Sequence, residues 1–208
     1  MPAGARPAAR WLAAPAVAAL FAAGVWLFGG VVAGTFRTAM ALTAGWFAVA
    51  AAACLAVAWR RRLVRAPVLA GYAVAAVTVG GYLGYSTLHD RVVHERVAAG
   101  PVEATAAFVS GEHETAGAAR VVRVSGGRRV LTLTDFATSA GPDLRVRVAP
   151  GRGTDGAAAG VVDLGALKGN RGDQQYELPS GIDARSATVL IWCRAFSALF
   201  GSAALAPA

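Results

Sequence analysis

The fold of the C-terminal half is decided by residues 121–133, which read VVRVSGGRRVLTL. Two runs rich in valine and leucine, residues 121–124 and 130–133, flank the segment SGGR at residues 125–128. A Gly-Gly pair between two such runs is typical of a tight hairpin turn. The stretch therefore predicts an antiparallel β-hairpin.

Further short strands are expected on both sides of this hairpin, within a β domain at residues 102–208. In the segment LRVRV the apolar residues alternate with Arg145 and Arg147, which indicates a strand with one buried face and one wet, basic face. Other strands are predicted near residues 105–109, 161–164, 175–178, 188–194 and 202–205. About eight short strands without a helical stretch predict an antiparallel sandwich or barrel. We expect the Gly- and Ala-rich residues 150–160 to be the most flexible loop.

The N-terminal part carries three long apolar segments, at about residues 11–33, 38–59 and 66–88. Each segment reaches or exceeds the roughly 20 residues that a helix needs to cross the hydrocarbon core of a bilayer. None of them contains a charged residue or a histidine, so they offer no path for ions or protons. The sequence therefore predicts a three-helix transmembrane anchor over residues 1–88.

The positive charge is concentrated around these apolar segments. The chain has a formal net charge of +8, yet residues 1–85 hold seven arginines and no Asp or Glu. Because cytoplasmic loops collect basic residues, Arg6, Arg10 and the run RRRLVR at residues 60–65 place their sides of the membrane in the cytoplasm. The N-terminus is then cytoplasmic, and the part that follows the third segment is extracytoplasmic. Basic residues in these places also argue against nucleic-acid binding.

Residues 89–101 connect the anchor to the β domain. The pairs Asp90/His94 and Arg91/Glu95 have the i,i+4 spacing of neighbours on one helix face. This spacing predicts a short juxtamembrane stalk that continues the third helix until the following Gly-Pro ends it.

A series of motifs in the C-terminal half carries a family resemblance. The motifs are His113 with AG at 116–117, LTDF at 133–136, GPDL at 141–144, LGALKGN at 164–170, GDQQYELP at 172–179, IWC at 191–193, Phe196, and FG at 200–201 with Ala203 and Leu205. In this order and spacing they resemble the DM13 domain, over about residues 104–205. The resemblance implies a secreted or membrane-anchored bacterial protein that acts in electron transfer. It also implies that the cysteine of the domain is a thiol or haem-ligand centre.

Cys193 is the candidate redox residue. It is the one cysteine of the exported part, because Cys54 lies in the second apolar segment, and an intramolecular disulfide is therefore excluded. The period of a strand places Cys193 on the face of Val189 and Ile191, and apolar residues on both faces indicate a central strand. The residues alone favour a small buried hydrophobe at this position. The DM13 resemblance makes a redox thiol the alternative, and both interpretations stay open.

Ligands for haem are scarce in this sequence. It has no Cys-x-x-Cys-His motif, no histidine in the apolar segments and no methionine in the exported part. His113 and Cys193 are then the candidate axial ligands of a haem, with a hydrogen-bonded loop histidine as the alternative for His113. We find no metal-binding motif, phosphate loop or hydrolase constellation.

These observations indicate a membrane-anchored, extracytoplasmic redox or electron-transfer accessory with Cys193 at its centre. The alternative is a non-catalytic interaction or structural domain of the cell envelope in which Cys193 only packs. We expect an electron-transfer or binding module rather than a turnover enzyme. Its expected partners are the lipid bilayer and an envelope redox protein.

Overall fold

The computed structural model describes residues 7–208, which form two compact units divided between Tyr85 and Ser86. The first unit is helical and the second is built of strands. Arg6, which contributes to the predicted membrane orientation, lies outside the described residues.

Residues 7–88, the part of the helical region that the structure describes, form four α-helices. They are α1 (Pro7–Arg10), α2 (Ala13–Val25) with a π-helical continuation (Trp26–Val32), α3 (Phe36–Arg60), and α4 (Arg65–Leu88) after a 3-10 turn (Arg62–Val64). Three stretches, Ala13–Val32, Phe36–Arg60 and Arg62–Leu88, are long and apolar enough to cross a membrane, by length and composition. The three predicted apolar segments are thus confirmed as helices of spanning length.

Aromatic side chains join the helices of this unit. The Trp46 indole Nε1 donates a hydrogen bond to the Phe21 carbonyl at 3.0 Å, and the Tyr72 hydroxyl donates to the Phe47 carbonyl at 2.9 Å. The buried Phe21 ring contacts the rings of Phe47 and Tyr72 edge-on. Because hydrocarbon cannot satisfy polar groups, these internal bonds let the two polar aromatic side chains lie between helices.

The C-terminal unit is an all-β sandwich. Its strands are β1 (Val102–Ala107), β2 (Val109–Ser110), β3 (Thr115–Arg123), β4 (Arg129–Thr138), β5 (Leu144–Ala149), β6 (Val162–Ala166), β7 (Gln174–Leu178), β8 (Thr188–Cys193), β9 (Ala198–Ala204) and β10 (Ala206–Pro207). They form two antiparallel sheets with the orders β10-β1-β3-β4-β7 and β2-β9-β8-β5-β6. The predicted hairpin joins β3 to β4, and the predicted sandwich is confirmed.

The core of the sandwich is filled by residues that alternate along the strands. Val121 pairs with Leu131 in the first sheet, and Val146 pairs with Ile191 in the second. All four side chains are completely buried. Burying a side chain of this size contributes roughly 1.5–3 kcal/mol, so a few such pairs account for much of the stability of a domain of this length.

Residues 89–101 are extended and not helical as predicted. The backbone of this segment lies along the chain that leads into β7, where the N–H groups of Val93 and Glu95 donate to carbonyls at 2.9 Å. The carboxylates of Asp90 and Glu95, which were predicted to pair within a helix, bind side chains of the β domain instead. Tertiary contacts therefore override the i,i+4 pattern. We call residues 89–98 the strap.

One residue of the loop at residues 150–160 packs on the sandwich, and the other residues of the loop are exposed. Gly156 in the middle of the loop is buried, and a side-chain carbon at this position would overlap the Trp192 indole. The Gly156 carbonyl accepts a hydrogen bond from Arg147 Nη1 at 2.7 Å. The loop thus covers Trp192, which is 7% exposed.

Replacing Gly156 by alanine should push the loop away from Trp192 and lower the free energy of unfolding of the β domain by about 1–3 kcal/mol. Gly153→Ala is the matched control in the same loop, because its methyl group would lie at an ordinary 3.6 Å from the Pro150 carbonyl oxygen. This control should change the free energy of unfolding by less than about 0.5 kcal/mol. Calorimetry of both full-length variants in detergent measures the difference, and equal unfolding temperatures would show that Gly156 does not hold the loop.

Candidate functional site around Cys193

Cys193 is the last residue of β8, the central strand of the second sheet. Its register partners are Leu144 of β5 and Ala198 of β9. All six residues of β8 are buried, and Cys193 is 0% exposed. The predicted central position of this strand is therefore confirmed.

The sulfur of Cys193 lies among backbone donors. Cys193 and Cys54 are both free thiols. Burial raises the pKa of the Cys193 thiol to about 11, although hydrogen bonds from the backbone N–H groups of Phe196, Asp143 and Ala195 act to lower it. At neutral pH the group is a thiol with very little thiolate, while the three donors favour a negative charge once one forms.

The turn between β8 and β9, residues 194–197, encloses this sulfur. The backbone N–H of Arg194 donates to the Asp143 carbonyl at 2.9 Å, and its Nε donates to the Asp143 carboxylate at 2.6 Å. Two residues of the same turn supply N–H groups to Sγ. The turn is therefore one part of the enclosure of this fully buried residue.

His113 lies between β2 and β3 and packs on Phe200 of β9. The two rings are stacked, with centroids 3.9 Å apart and planes inclined by 21°. Burial lowers the pKa of His113, and the negative charge of Glu112 raises it by less. The imidazole is therefore largely neutral at neutral pH.

The packing around His113 and Cys193 does not fit a haem held between them. Phe200, on which His113 stacks, and Leu144, the register partner of Cys193, meet beside Gly141. A haem bound by both residues would need the space that the side chains of Phe200 and Leu144 fill. It would also need an exposed sulfur, whereas Cys193 is fully buried. Within residues 7–208, no group of three or more His, Cys, Asp or Glu side chains is placed to hold a metal ion.

A family model described as Electron transfer DM13 matches residues 107–205, which run from the end of β1 to just beyond β9. The C-terminal half of the chain belongs to the DM13 family. No curated protein and no solved structure matches the chain significantly. The DM13 match contains both His113 and Cys193, and it supports a module related to redox chemistry or electron transfer.

Arg145 and Arg147 form a half-buried ion-pair cluster in the DM13 domain, and not the wet basic face that the alternation predicts. Both bind Asp163 of β6, with Arg145 Nη2 at 2.9 Å and Arg147 Nε at 3.2 Å from the carboxylate. Burial raises the pKa of Asp163, but hydrogen bonds from Arg145 and Gly165, with the two positive charges, lower it overall. The sequence does not reveal this pairing, because the partner lies on another strand.

Sequence reasoning also missed a buried polar cluster of the DM13 domain. Gln174 is 0% exposed, and its Oε1 accepts hydrogen bonds from the Tyr176 hydroxyl at 2.8 Å and the Lys168 N–H at 3.1 Å. Its Nε2 donates to the Gly169 carbonyl at 2.8 Å. Burial raises the pKa of Tyr176 to about 12. The available signal was the run of polar residues DQQYE at residues 173–177.

The stability of the DM13 domain should carry a pH-dependent contribution from Cys193. Because burial raises the thiol pKa from 9.0 to about 11, the unfolded chain loses this proton first. The contribution is complete below pH 9 and is lost as the pH rises towards 11, by about 2 kcal/mol. In a Cys54→Ala background, the free energies of unfolding of the parent and its Cys193→Ala variant should converge by this amount between pH 9 and 11. Denaturant unfolding at several pH values measures the difference, and a constant difference would contradict the raised pKa.

Proposed function

We propose that this protein is a membrane-anchored, extracytoplasmic electron-transfer accessory of the cell envelope with Cys193 as its redox-active thiol. The DM13 match supports the redox class, and the three long apolar helices support membrane attachment. The observation that carries the proposal is this match, because it includes Cys193, the one cysteine of the β domain. Backbone N–H groups of Phe196, Asp143 and Ala195 act to lower the pKa of the thiol and so would stabilise a thiolate once burial is relieved.

Burial determines which chemistry this thiol performs. With the turn at residues 194–197 in place, Cys193 is protonated and buried, so it is an unreactive thiol in this state and not a haem ligand. Once residues 194–197 open and the proton leaves, the thiolate attacks one sulfur of a disulfide on an envelope redox protein. A disulfide forms between the two proteins, the bond within the partner breaks, and the partner's second sulfur leaves as a thiolate that takes up a proton. A thiol of the partner or of a third protein then releases Cys193 by the same exchange.

A non-catalytic interaction or structural domain of the envelope is the second candidate. The observation that favours it is the complete burial of Cys193, which suits a small residue that fills space in the core. The two candidates differ in one property, the opening of the turn at residues 194–197 under native conditions.

Labelling of Cys193 with a thiol reagent in a Cys54→Ala background tests the proposal. Arg194→Ala removes the side-chain bond that holds the turn to Asp143, and Arg123→Ala is the control, because Arg123 binds Glu103 and its side chain is equally exposed, at 58%. We expect native Cys193 to react slowly, and Arg194→Ala to accelerate labelling roughly two- to fivefold, as the loss of an exposed ion pair allows. Arg123→Ala should leave the rate unchanged.

The Cys193→Ser variant separates the two candidates. Because Cys193 is fully buried, Cys193→Ser should lower the free energy of unfolding by about 1–3 kcal/mol under either candidate. As a redox thiol, Cys193 should form mixed disulfides with envelope proteins, and these should disappear in the folded Cys193→Ser variant. As a packing residue, it should label only after denaturation, and Cys193→Ser should remove no redox signal. This second result would replace the electron-transfer proposal by the interaction domain.

The proposed orientation has its own test. Arg10 precedes the first apolar helix and the arginines of residues 60–65 stand between the second and the third, whereas Arg37 is the one arginine between the first and the second. By the positive-inside rule, this distribution supports a DM13 domain outside the cytoplasm. Protease added to intact spheroplasts should remove the chain beyond about Ser86, while an epitope at the N-terminus should be digested only after lysis. If the DM13 domain resists protease in sealed spheroplasts, the proposed orientation is wrong.

A further inference from the structure

The strap, residues 89–98, pairs with the edge of the first sheet through an isolated β-bridge and a few backbone hydrogen bonds. Val92 forms a parallel bridge with Arg171, which in turn forms an antiparallel bridge with Ala137 of β4. The N–H of Val93 donates to the Arg171 carbonyl at 2.9 Å. The segment that leads into β7 therefore lies between β4 and the strap, in the geometry of β-strand addition. The strap lies outside the DM13 match.

Two carboxylates fix the position of the strap. The Asp90 carboxylate accepts hydrogen bonds from Asn170 Nδ2 at 2.7 Å and Arg171 Nε at 3.0 Å. The Glu95 carboxylate accepts hydrogen bonds from Lys168 Nζ at 2.8 Å and from the Gln175 N–H at 3.0 Å. The pKa of Asp90 is lowered, mainly by the hydrogen bond from Asn170. The pKa of Glu95 is lowered, mainly by the hydrogen bond from Lys168. Both acids are therefore held as anions.

Side-chain amides of the domain bind the backbone of the strap at two further points. Asn170 Oδ1 accepts the Arg91 N–H at 2.6 Å, and Gln175 Oε1 accepts the Ala98 N–H at 2.9 Å. These bonds extend recognition beyond the short stretch in which the two backbones pair directly. The domain thus contacts the main chain of the strap along most of its length.

The surface under the strap is shaped for a peptide backbone. Gly172 has a φ of +94°, and a side-chain carbon there would overlap the Val93 carbonyl. At Gly169 such a carbon would lie 2.6 Å from the Arg91 carbonyl oxygen. Only glycine allows this close approach at both positions.

The exposure of the side chains alternates along the strap, as in a peptide that contacts its receptor with one face. Val92, His94 and Arg96 are exposed, whereas Val93, Glu95 and Val97 are half-buried. In recognition by strand addition, main-chain hydrogen bonds supply affinity and alternate side chains supply specificity.

We propose that residues 168–175 of the DM13 domain are a recognition site for an extended peptide with two carboxylates five residues apart, and that its occupant in this protein is the strap. The site shares no contact with Cys193 and does not depend on the proposed redox function. Because the strap is covalently attached, it binds at an effective concentration that a free peptide does not reach. The site is therefore closed to other acidic peptides while Asp90 and Glu95 are intact.

The test uses the full-length chain in detergent micelles and a fluorescent peptide of residues 88–99. The double variant Asp90→Asn, Glu95→Gln weakens the strap, so it should bind this peptide saturably and at least tenfold more tightly than the unmodified chain. A peptide that carries the same two substitutions should bind the variant at least tenfold more weakly. Glu103→Gln is the control, because it removes a carboxylate bound to Arg123, outside the strap, and should leave the site closed.

Equal binding of the two peptides, or no binding to a folded double variant, would overturn the proposal. Hydrogen exchange of the unmodified chain tests the proposal independently of whether the double variant folds. The amides of Val93 and Glu95 in the unmodified chain should exchange at least tenfold more slowly than in the free peptide of residues 88–99. Exchange at the rate of the free peptide would overturn the proposal as well.

Discussion

Strand β8 has six consecutive buried residues, so protein must cover both of its faces. The core of the sandwich covers one face, which includes Val189 and Ile191. The other face carries Trp192, whose register partner is Arg145, and it is closed by Gly156 of the loop at residues 150–160. The ion pairs of Arg145 and Arg147 with Asp163, together with the packing of this loop, cover the outer face of β8.

The enclosure of Cys193 follows from the same constraint. A thiol at the end of a strand buried on both faces is removed from water, and this desolvation dominates its raised pKa. The turn at residues 194–197 is the part of this enclosure that is bonded by an exposed ion pair, between Arg194 and Asp143. The same turn is also held by the buried side chain of Phe196 and by the backbone hydrogen bond from Arg194 to Asp143, so it is fixed by more than this ion pair.

The elements that the sequence predicted correctly depend on local patterns. Apolar length identified the three long helices, and alternation with turn residues identified the strands and the β3–β4 hairpin. The strap was predicted as a helix because the pairs Asp90/His94 and Arg91/Glu95 have i,i+4 spacing. The structural partners of Asp90 and Glu95 instead lie about 80 residues away, beyond the reach of any local pattern. For the same reason, the central position of Cys193 was predictable, whereas the stacking of His113 on Phe200 was not.

The motifs that resemble the DM13 family make two separate sets of contacts in this chain. GPDL and IWC surround the thiol, since Asp143 supplies both an N–H to the sulfur and the acceptors that hold the turn. LGALKGN and GDQQYELP instead form the buried network of Gln174 and bind the strap through Lys168, Asn170 and Gln175. Because these two groups of contacts share no side chain, loss of the thiol leaves the means of holding an acidic strand intact. We therefore expect a Cys193→Ala variant of this chain to keep the contacts of the strap with Lys168, Asn170 and Gln175.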